Sequence, residues 1–121
     1  MPTMPRIVEY VREDGSNPFQ IWFDRLDPQA AARVATAVMR LSLGNTSNLK
    51  RIGAITEYRI DWGPGYRIYL AEGGDVWVLL SGGTKRRQRT DIERAMALLV
   101  EYARRKSKAQ PARRKRSTRW D

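Results

Sequence analysis

The sequence has no cysteine and no histidine. The lack of cysteine excludes disulfides and thiolate chemistry, and the lack of histidine excludes Cys/His metal sites, Ser-His-Asp triads and histidine acid–base catalysis. No apolar run approaches the ~18–20 residues of a membrane-spanning helix, and the chain does not open on the basic-then-apolar pattern of a secretion signal. We therefore expect a soluble, cytoplasmic protein, and any catalysis has to use Lys, Arg, Tyr, Asp or Glu.

Acidic residues are scarce beside basic ones: 23 Lys and Arg stand against 13 Asp and Glu, for a net charge of +10 in 121 residues. Most of the excess lies at the C-terminal end, where residues 104–121 hold nine basic residues and one acidic residue. High charge without hydrophobic periodicity is typical of disordered segments. The sequence predicts one folded domain over residues 1–106 and a basic, disordered tail over residues 107–121, which would add sequence-independent affinity for RNA.

The most informative segment is residues 57–70, which predict two short strands joined by a Gly63-Pro64-Gly65 turn. On the second strand Arg67 falls in the opposite phase to its apolar neighbours. A sheet with one apolar face and one arginine-bearing face indicates an anionic partner, either a nucleic acid or an acidic protein. Alternation predicts that the polar face of the first strand carries Glu57, Arg59 and Asp61.

Two helices are predicted ahead of this hairpin by the same start signal, an Asx residue followed by proline. Asn17-Pro18 introduces the first helix, and Asp27-Pro28 introduces a second that ends at Gly44-Asn45. Residues 45–53 are predicted to be a polar loop. A third helix is predicted to begin near Thr90, because Thr90 and Glu93 have the spacing of a capping box.

Strand patterns at residues 6–12 and 76–80 complete the set, and Gly82-Gly83 is predicted to end the second of them. The predicted order is β-α-α-β-β-β-α. We therefore predict an α+β fold of two layers, with a mostly antiparallel sheet and the helices on its one apolar face.

This order, with these residues, resembles the RelE/ParE superfamily of bacterial toxins, and more closely its HigB-like branch of phage-related addiction module killer proteins. The resemblance covers roughly residues 5–103 and implies a RelE-like fold. Its residues are Phe19 to Leu26, Gly44-Asn45, Glu57 to Ile60, Gly63 to Tyr69, and Gly82 to Lys85 ahead of Gln88 and Asp91-Ile92.

The resemblance implies the toxin of a type II toxin–antitoxin system. Members are typically ribosome-dependent mRNA endonucleases that use no metal or other cofactor. Cleavage proceeds by attack of a ribose 2′-hydroxyl on the adjacent phosphate. The implied partners are the ribosome, mRNA and a cognate antitoxin with a helix-turn-helix domain, and no membrane is involved.

Arg67 matches the arginine that stabilises the transition state in the family, Arg59 matches a basic residue on the preceding strand, and Lys85 begins the basic loop that helps hold the message. Arginine suits this role because its planar guanidinium meets phosphate oxygens bidentately and stays charged. The predicted catalytic residues are Arg67, Arg59, Lys85 and Lys50, and the predicted RNA-binding residues are Arg51, Arg86, Arg87 and Arg89.

Several alternatives stay open from the sequence. The proton acceptor could be Lys50, Lys85 or Asp61. The two hairpin arginines could instead pair with Glu57 and Asp61 across the strands. Two other functions are compatible with the same fold: a ParE-like toxin that inhibits gyrase by binding it, and a non-catalytic basic module that binds nucleic acid.

Overall fold

A computed structural model describes residues 4–108, in which one strand and two helices precede four strands and a final helix. In chain order the elements are β1 (Arg6–Glu9), α1 (Pro18–Asp24), α2 (Pro28–Ser42), β2 (Leu49–Ile52), β3 (Ile55–Ile60), β4 (Tyr66–Gly73), β5 (Val76–Thr84) and α3 (Gln88–Lys108), with a 3₁₀ turn at Lys85–Arg87. No helix in this part of the chain is long and apolar enough to cross a membrane.

The five strands form one mixed sheet in the order β1-β5-β4-β3-β2. Strands β2 to β5 are antiparallel neighbours, and β1 lies parallel to β5 at the far edge. The expected α+β class and the mostly antiparallel sheet are therefore confirmed. Strand β1 is shorter than predicted, since it ends at Glu9.

Both predicted Asx-Pro helix starts are confirmed. The Asn17 side chain accepts a hydrogen bond from the backbone N–H of Gln20, and Asp27 does the same for Ala30. Each side chain thus satisfies one backbone donor that the first turn of a helix leaves free, and proline follows at a position where no donor is needed. These caps set where α1 and α2 begin.

The polar loop predicted at residues 45–53 is wrong, because β2 runs through it and pairs with β3. The strand carries Lys50 and Arg51 in exposed positions, so it lacks the alternating apolar pattern of a half-buried strand. Its pairing with β3 satisfies the backbone groups on the inner side of the strand, and β2 forms one edge of the sheet. The observed order is therefore β-α-α-β-β-β-β-α.

The prediction that all the helices lie on one face of the sheet is wrong. Helices α1 and α2 pack against the face formed by residues such as Tyr58, Ile68 and Leu79. Helix α3 packs against the opposite face, over Tyr69, Ala71, Val78 and Leu80. That second face is the one that bears the arginines, so it is apolar under α3 and charged beyond it.

The predicted break at Gly82-Gly83 is also wrong, since β5 continues to Thr84. The two glycines instead let the flanking helices approach the strand. A Cβ on Gly82 would overlap the ring of Trp22 in α1, and a Cβ on Gly83 would overlap the carboxylate of Asp91 in α3. Glycine is required here by close packing on both faces.

Helix α3 begins two residues before the predicted Thr90. The 3₁₀ turn leads directly into it, so Thr90 lies inside the helix and is not its cap. The helix also includes residues 107 and 108, which were assigned to the predicted tail. The rest of that tail, residues 109–121, lies outside the described residues.

The close approach of Trp22 to Gly82 predicts that Gly82→Ala destabilises the protein. The added methyl group forces the indole or the strand to move, and overpacking of this kind typically costs ~1–3 kcal/mol. The urea midpoint of Gly82→Ala should fall. Gly73→Ala is the matched control, because Gly73 lies in β4 without a left-handed backbone and has ordinary contacts. Equal midpoints for both variants would contradict this reading of Gly82.

Candidate functional site

The charged side chains of the β3–β4 hairpin gather on the face that α3 covers in part. Arg59 and Arg67 are register partners on β3 and β4. Glu57 is the register partner of Tyr69, two residues further from the turn on each strand. Partners in a register lie on the same side of a sheet. The phase predicted for Glu57, Arg59 and Arg67 is therefore confirmed.

Glu57 lies at the centre of this group and is fully buried, with an exposure of 0%. Its Oε1 accepts a hydrogen bond from Arg59 Nε at 3.0 Å and lies 3.9 Å from Arg67 Nε. Its Oε2 accepts a hydrogen bond from Gln88 Nε2 at 2.6 Å. A buried carboxylate needs such partners because it has lost its water. The cluster joins β3, β4 and the first residue of α3.

Arg67 is almost as deeply buried, with an exposure of 5%. Its Nη1 donates to the carbonyl oxygen of Tyr66 at 3.1 Å, which holds the guanidinium beneath the hairpin turn. Its Nε makes no hydrogen bond within residues 4–108. The guanidinium is therefore held in one place with part of its donor capacity unused.

The Tyr69 hydroxyl borders the same cluster and makes no hydrogen bond of standard geometry to any described residue. Burial raises its pKa well above the ordinary tyrosine value, and the carboxylates of Glu57 and Asp91 raise the pKa further. The hydroxyl therefore stays protonated around neutral pH, and it has no access to solvent.

An open pocket of about 280 Å³ lies where Arg67 reaches the hairpin turn. Lys85 is brought to it by a hydrogen bond from its backbone N–H to the carbonyl oxygen of Gly65 at 2.7 Å. The turn needs glycine there, since Gly65 has a φ of +80° and the Lys85 side chain packs against it. The pocket is lined by Asp61, Trp62, Gly63, Pro64, Gly65, Arg67 and Lys85.

Two of the other predicted residues lie on opposite sides of β2. Lys50 is the register partner of Glu57, so it lies on the arginine-bearing face, at its exposed edge. Arg51 is the partner of Thr56 and lies on the other face, where it pairs with Glu72 at 3.8 Å. The structure therefore separates Arg51 from the pocket and from the other predicted site residues.

Arg86, Arg87 and Arg89 are exposed on the 3₁₀ turn and the first turn of α3, next to Lys85. Arg87 also acts on Asp91. Burial raises the pKa of Asp91, and the charges of Arg87 and Arg94 oppose that rise. The three arginines extend the positive charge of the pocket along the surface.

Neither Glu57 nor Gln88 is among the site residues predicted from the sequence. Glu57 was considered only as a surface partner for the arginines, since a charged residue in a strand with one polar face is usually exposed. The signal in the sequence was that Glu57 lies in phase with two arginines. Gln88 gave no signal of its own, because its contact with Glu57 spans 31 residues.

Among the residues that the structure describes, no group of three or more His, Cys, Asp or Glu side chains could hold a metal ion. The site thus consists of a buried Glu57–Arg67 pair and an open pocket beside it. Gln88 of α3 holds Glu57 in place, and the pocket is lined by basic and acidic residues. This defines an α+β protein with a mixed five-stranded sheet and a cationic pocket at one hairpin turn.

The chain is 38% identical to a Haemophilus influenzae protein described as uncharacterized, over 86 residues. The match covers 69% of this chain and 87% of that relative. The chain therefore belongs to the same family as the Haemophilus influenzae protein. No protein-family model matches the sequence.

The burial of Glu57 leads to a prediction about stability. Glu57→Ala leaves the nearly buried Arg67 without its counter-charge, and removing one member of a buried ion pair typically costs ~3–5 kcal/mol. The half-exposed partner gives the control: the Arg59 side chain is 40% exposed. The free energy of unfolding from urea titration should therefore fall much further for Glu57→Ala than for Arg59→Ala. Similar values for the two variants would show that Glu57 does not hold the cluster together.

Proposed function

We propose that this protein is the toxin of a type II toxin–antitoxin system and cleaves mRNA on the ribosome. Cleavage occurs by attack of a ribose 2′-hydroxyl on the adjacent phosphate. The observation that carries the proposal is the placement of Arg67, which is fixed by burial and borders an open pocket that Lys85 also lines.

Arg67 would act on the charge that develops at the phosphate during attack. A donor that is already in position stabilises such charge without reorganising, and this contribution is usually among the largest in catalysis. The carbonyl oxygen of Tyr66 and the carboxylate of Glu57 hold the guanidinium beside the pocket before a substrate binds. Lys85 lines the same pocket and adds a second positive charge.

The message would follow the positive surface beside the pocket. Arg59 is half-exposed, and Lys50, Arg86, Arg87 and Arg89 are exposed around the same end of the sheet. Contacts of this kind hold phosphates without reading sequence. In this proposal the ribosome supplies the remaining alignment of the message. Arg51 takes no part, because it faces the other side of the sheet.

The proposed family is the RelE/ParE superfamily, in its HigB-like branch. Its support is the order of elements, in which a strand and two Asx-Pro helices precede an antiparallel meander and a final helix. Two segments that carry the resemblance also contribute to the pocket. Gly63 to Tyr69 forms the turn and the start of the strand that carries Arg67, and Gly82 to Lys85 ends beside the pocket. Such a protein acts in the cytoplasm.

One observation favours a second candidate function. Arg67 has an exposure of only 5%, so little of its side chain is available to a substrate. In this second function the face around Arg67 is a docking surface, and no residue of the chain is catalytic. A ParE-like toxin that inhibits gyrase would use the face in that way. Cleavage of mRNA during reconstituted translation, measured beside inhibition of gyrase supercoiling, separates the two functions.

The proposed role of Arg67 predicts a large catalytic defect. Arg67→Ala should slow single-turnover mRNA cleavage on saturating ribosomes by ~10²–10³-fold, the usual loss for one preorganised donor. Arg67→Lys should recover only part of it, because a lysine cannot donate bidentately. Arg40→Ala is the control, since Arg40 is exposed on α2 and lies on the other side of the sheet. Circular dichroism checks the fold, and a folded Arg67→Ala protein that cleaves at the Arg40→Ala rate would exclude the role.

The proposed partner also leads to a prediction. A toxin with an exposed cationic face should be silenced by an acidic antitoxin encoded beside it, through complementary charge. Co-expression with the adjacent reading frame should relieve growth arrest and give a complex whose association slows as salt is raised. Harmless expression of this chain alone, with no binding by the neighbouring gene product, would count against the toxin.

A further inference from the structure

The proposed reaction needs a proton acceptor and a proton donor. The bond from the 2′-oxygen to phosphorus forms as the bond from phosphorus to the 5′-oxygen breaks. The 2′-hydroxyl gives up one proton and the departing 5′-oxygen takes one, so the products are a 2′,3′-cyclic phosphate and a 5′-hydroxyl. No other reactant is consumed. The pocket therefore has to supply one group for each proton.

Most acidic groups around Arg67 cannot act as the acceptor. Glu57 is fully buried, and both of its carboxylate oxygens accept hydrogen bonds from Arg59 and Gln88. Asp91 packs against Gly83 and does not line the pocket. The Tyr69 hydroxyl is buried, and its raised pKa keeps its proton on.

Asp61 is the acidic residue that lines the pocket, together with Arg67 and Lys85. It follows the last residue of β3 and is exposed, so an incoming ribose can reach it. Within residues 4–108 it forms no salt bridge with Arg67 or Lys85. The next residues are held in a tight turn by hydrogen bonds from Trp62 N–H to Ile60 O and from Gly65 N–H to Trp62 O. This turn fixes the backbone beside Asp61.

We infer that Asp61 is the proton acceptor and Lys85 the proton donor of this pocket, an inference that rests on the proposed function. The Asp61 carboxylate takes the proton of the 2′-hydroxyl, and the Lys85 ammonium protonates the departing 5′-oxygen. A carboxylate offers acceptors and an ammonium offers only donors, so the two groups suit opposite roles. Arg67 lies in the same pocket and stabilises the phosphate between them.

The first test is single-turnover cleavage of a defined mRNA on bacterial ribosomes, measured across pH. Asp61→Asn should lower the rate constant by ~10²–10⁴-fold, the usual contribution of a general base. It should also remove the fall in rate on the acid side of the profile, since no carboxylate is left to protonate there. Asp61→Glu should retain part of the rate and keep the acid limb.

Asp75→Asn is the matched control. Asp75 is an exposed aspartate in the turn between β4 and β5, far along the strands from Gly65, and its substitution changes the net charge by the same amount. The Asp75→Asn variant should cleave mRNA at the wild-type rate. Circular dichroism confirms that each variant is folded.

The second test separates the acceptor from the donor. In an mRNA whose scissile 5′-oxygen is replaced by sulfur, the leaving thiolate needs no protonation. This substrate should restore cleavage by Lys85→Ala and leave Asp61→Asn slow.

The possible results are distinct. If Asp61→Asn cleaves at the same rate as Asp75→Asn, or if the sulfur substrate restores its cleavage, the assignment of Asp61 is overturned. The proposed function then remains in place. A slow Asp61→Asn that keeps the acid limb also overturns it, because Asp61 would then only position the substrate. A wild-type protein that cleaves no mRNA overturns the proposed function and this inference together.

Discussion

The burial of the Glu57 carboxylate is the constraint on which the site depends. An ionised group without water needs charged or hydrogen-bonding partners, and Glu57 takes one from its own strand, one from β4 and one from α3. The same contacts hold Arg67 and set Gln88 at the start of α3. One side chain thus ties the geometry of the pocket to the packing of a helix on the sheet.

Much of the fold could be predicted where local signals decide the structure. Asn17 and Asp27 specify helix starts through their own side chains, and the Gly63 to Gly65 turn needs left-handed backbone at both glycines. The prediction failed where distant residues decide. Strand β2 has no apolar alternation and exists because β3 pairs with it. Gly82 suggested a break because nothing in its neighbourhood indicates that Trp22 will lie against it.

The candidate site shows the same division. Alternation along β3 and β4 places Arg59 and Arg67 together, because partner strands keep their phase. The same rule puts Arg51 on the other face of the sheet, away from the site, although the sequence predicted that it binds RNA. The burial of Glu57 could not be predicted, since it requires that α3 cover the arginine-bearing face. Lys85 reaches the pocket through a backbone hydrogen bond to Gly65, twenty residues earlier in the chain.

The parallel pairing of β1 with β5 bears on how the protein folds. Ile7 and Trp77 are register partners about 70 residues apart, so closing this pair costs more chain entropy than closing any hairpin in the meander. Strands β2 to β5 can pair through short turns, whereas β1 can pair only after β5 has been synthesised and placed in the sheet. We therefore expect folding to begin in the meander that carries the pocket and to end when the N-terminal strand docks.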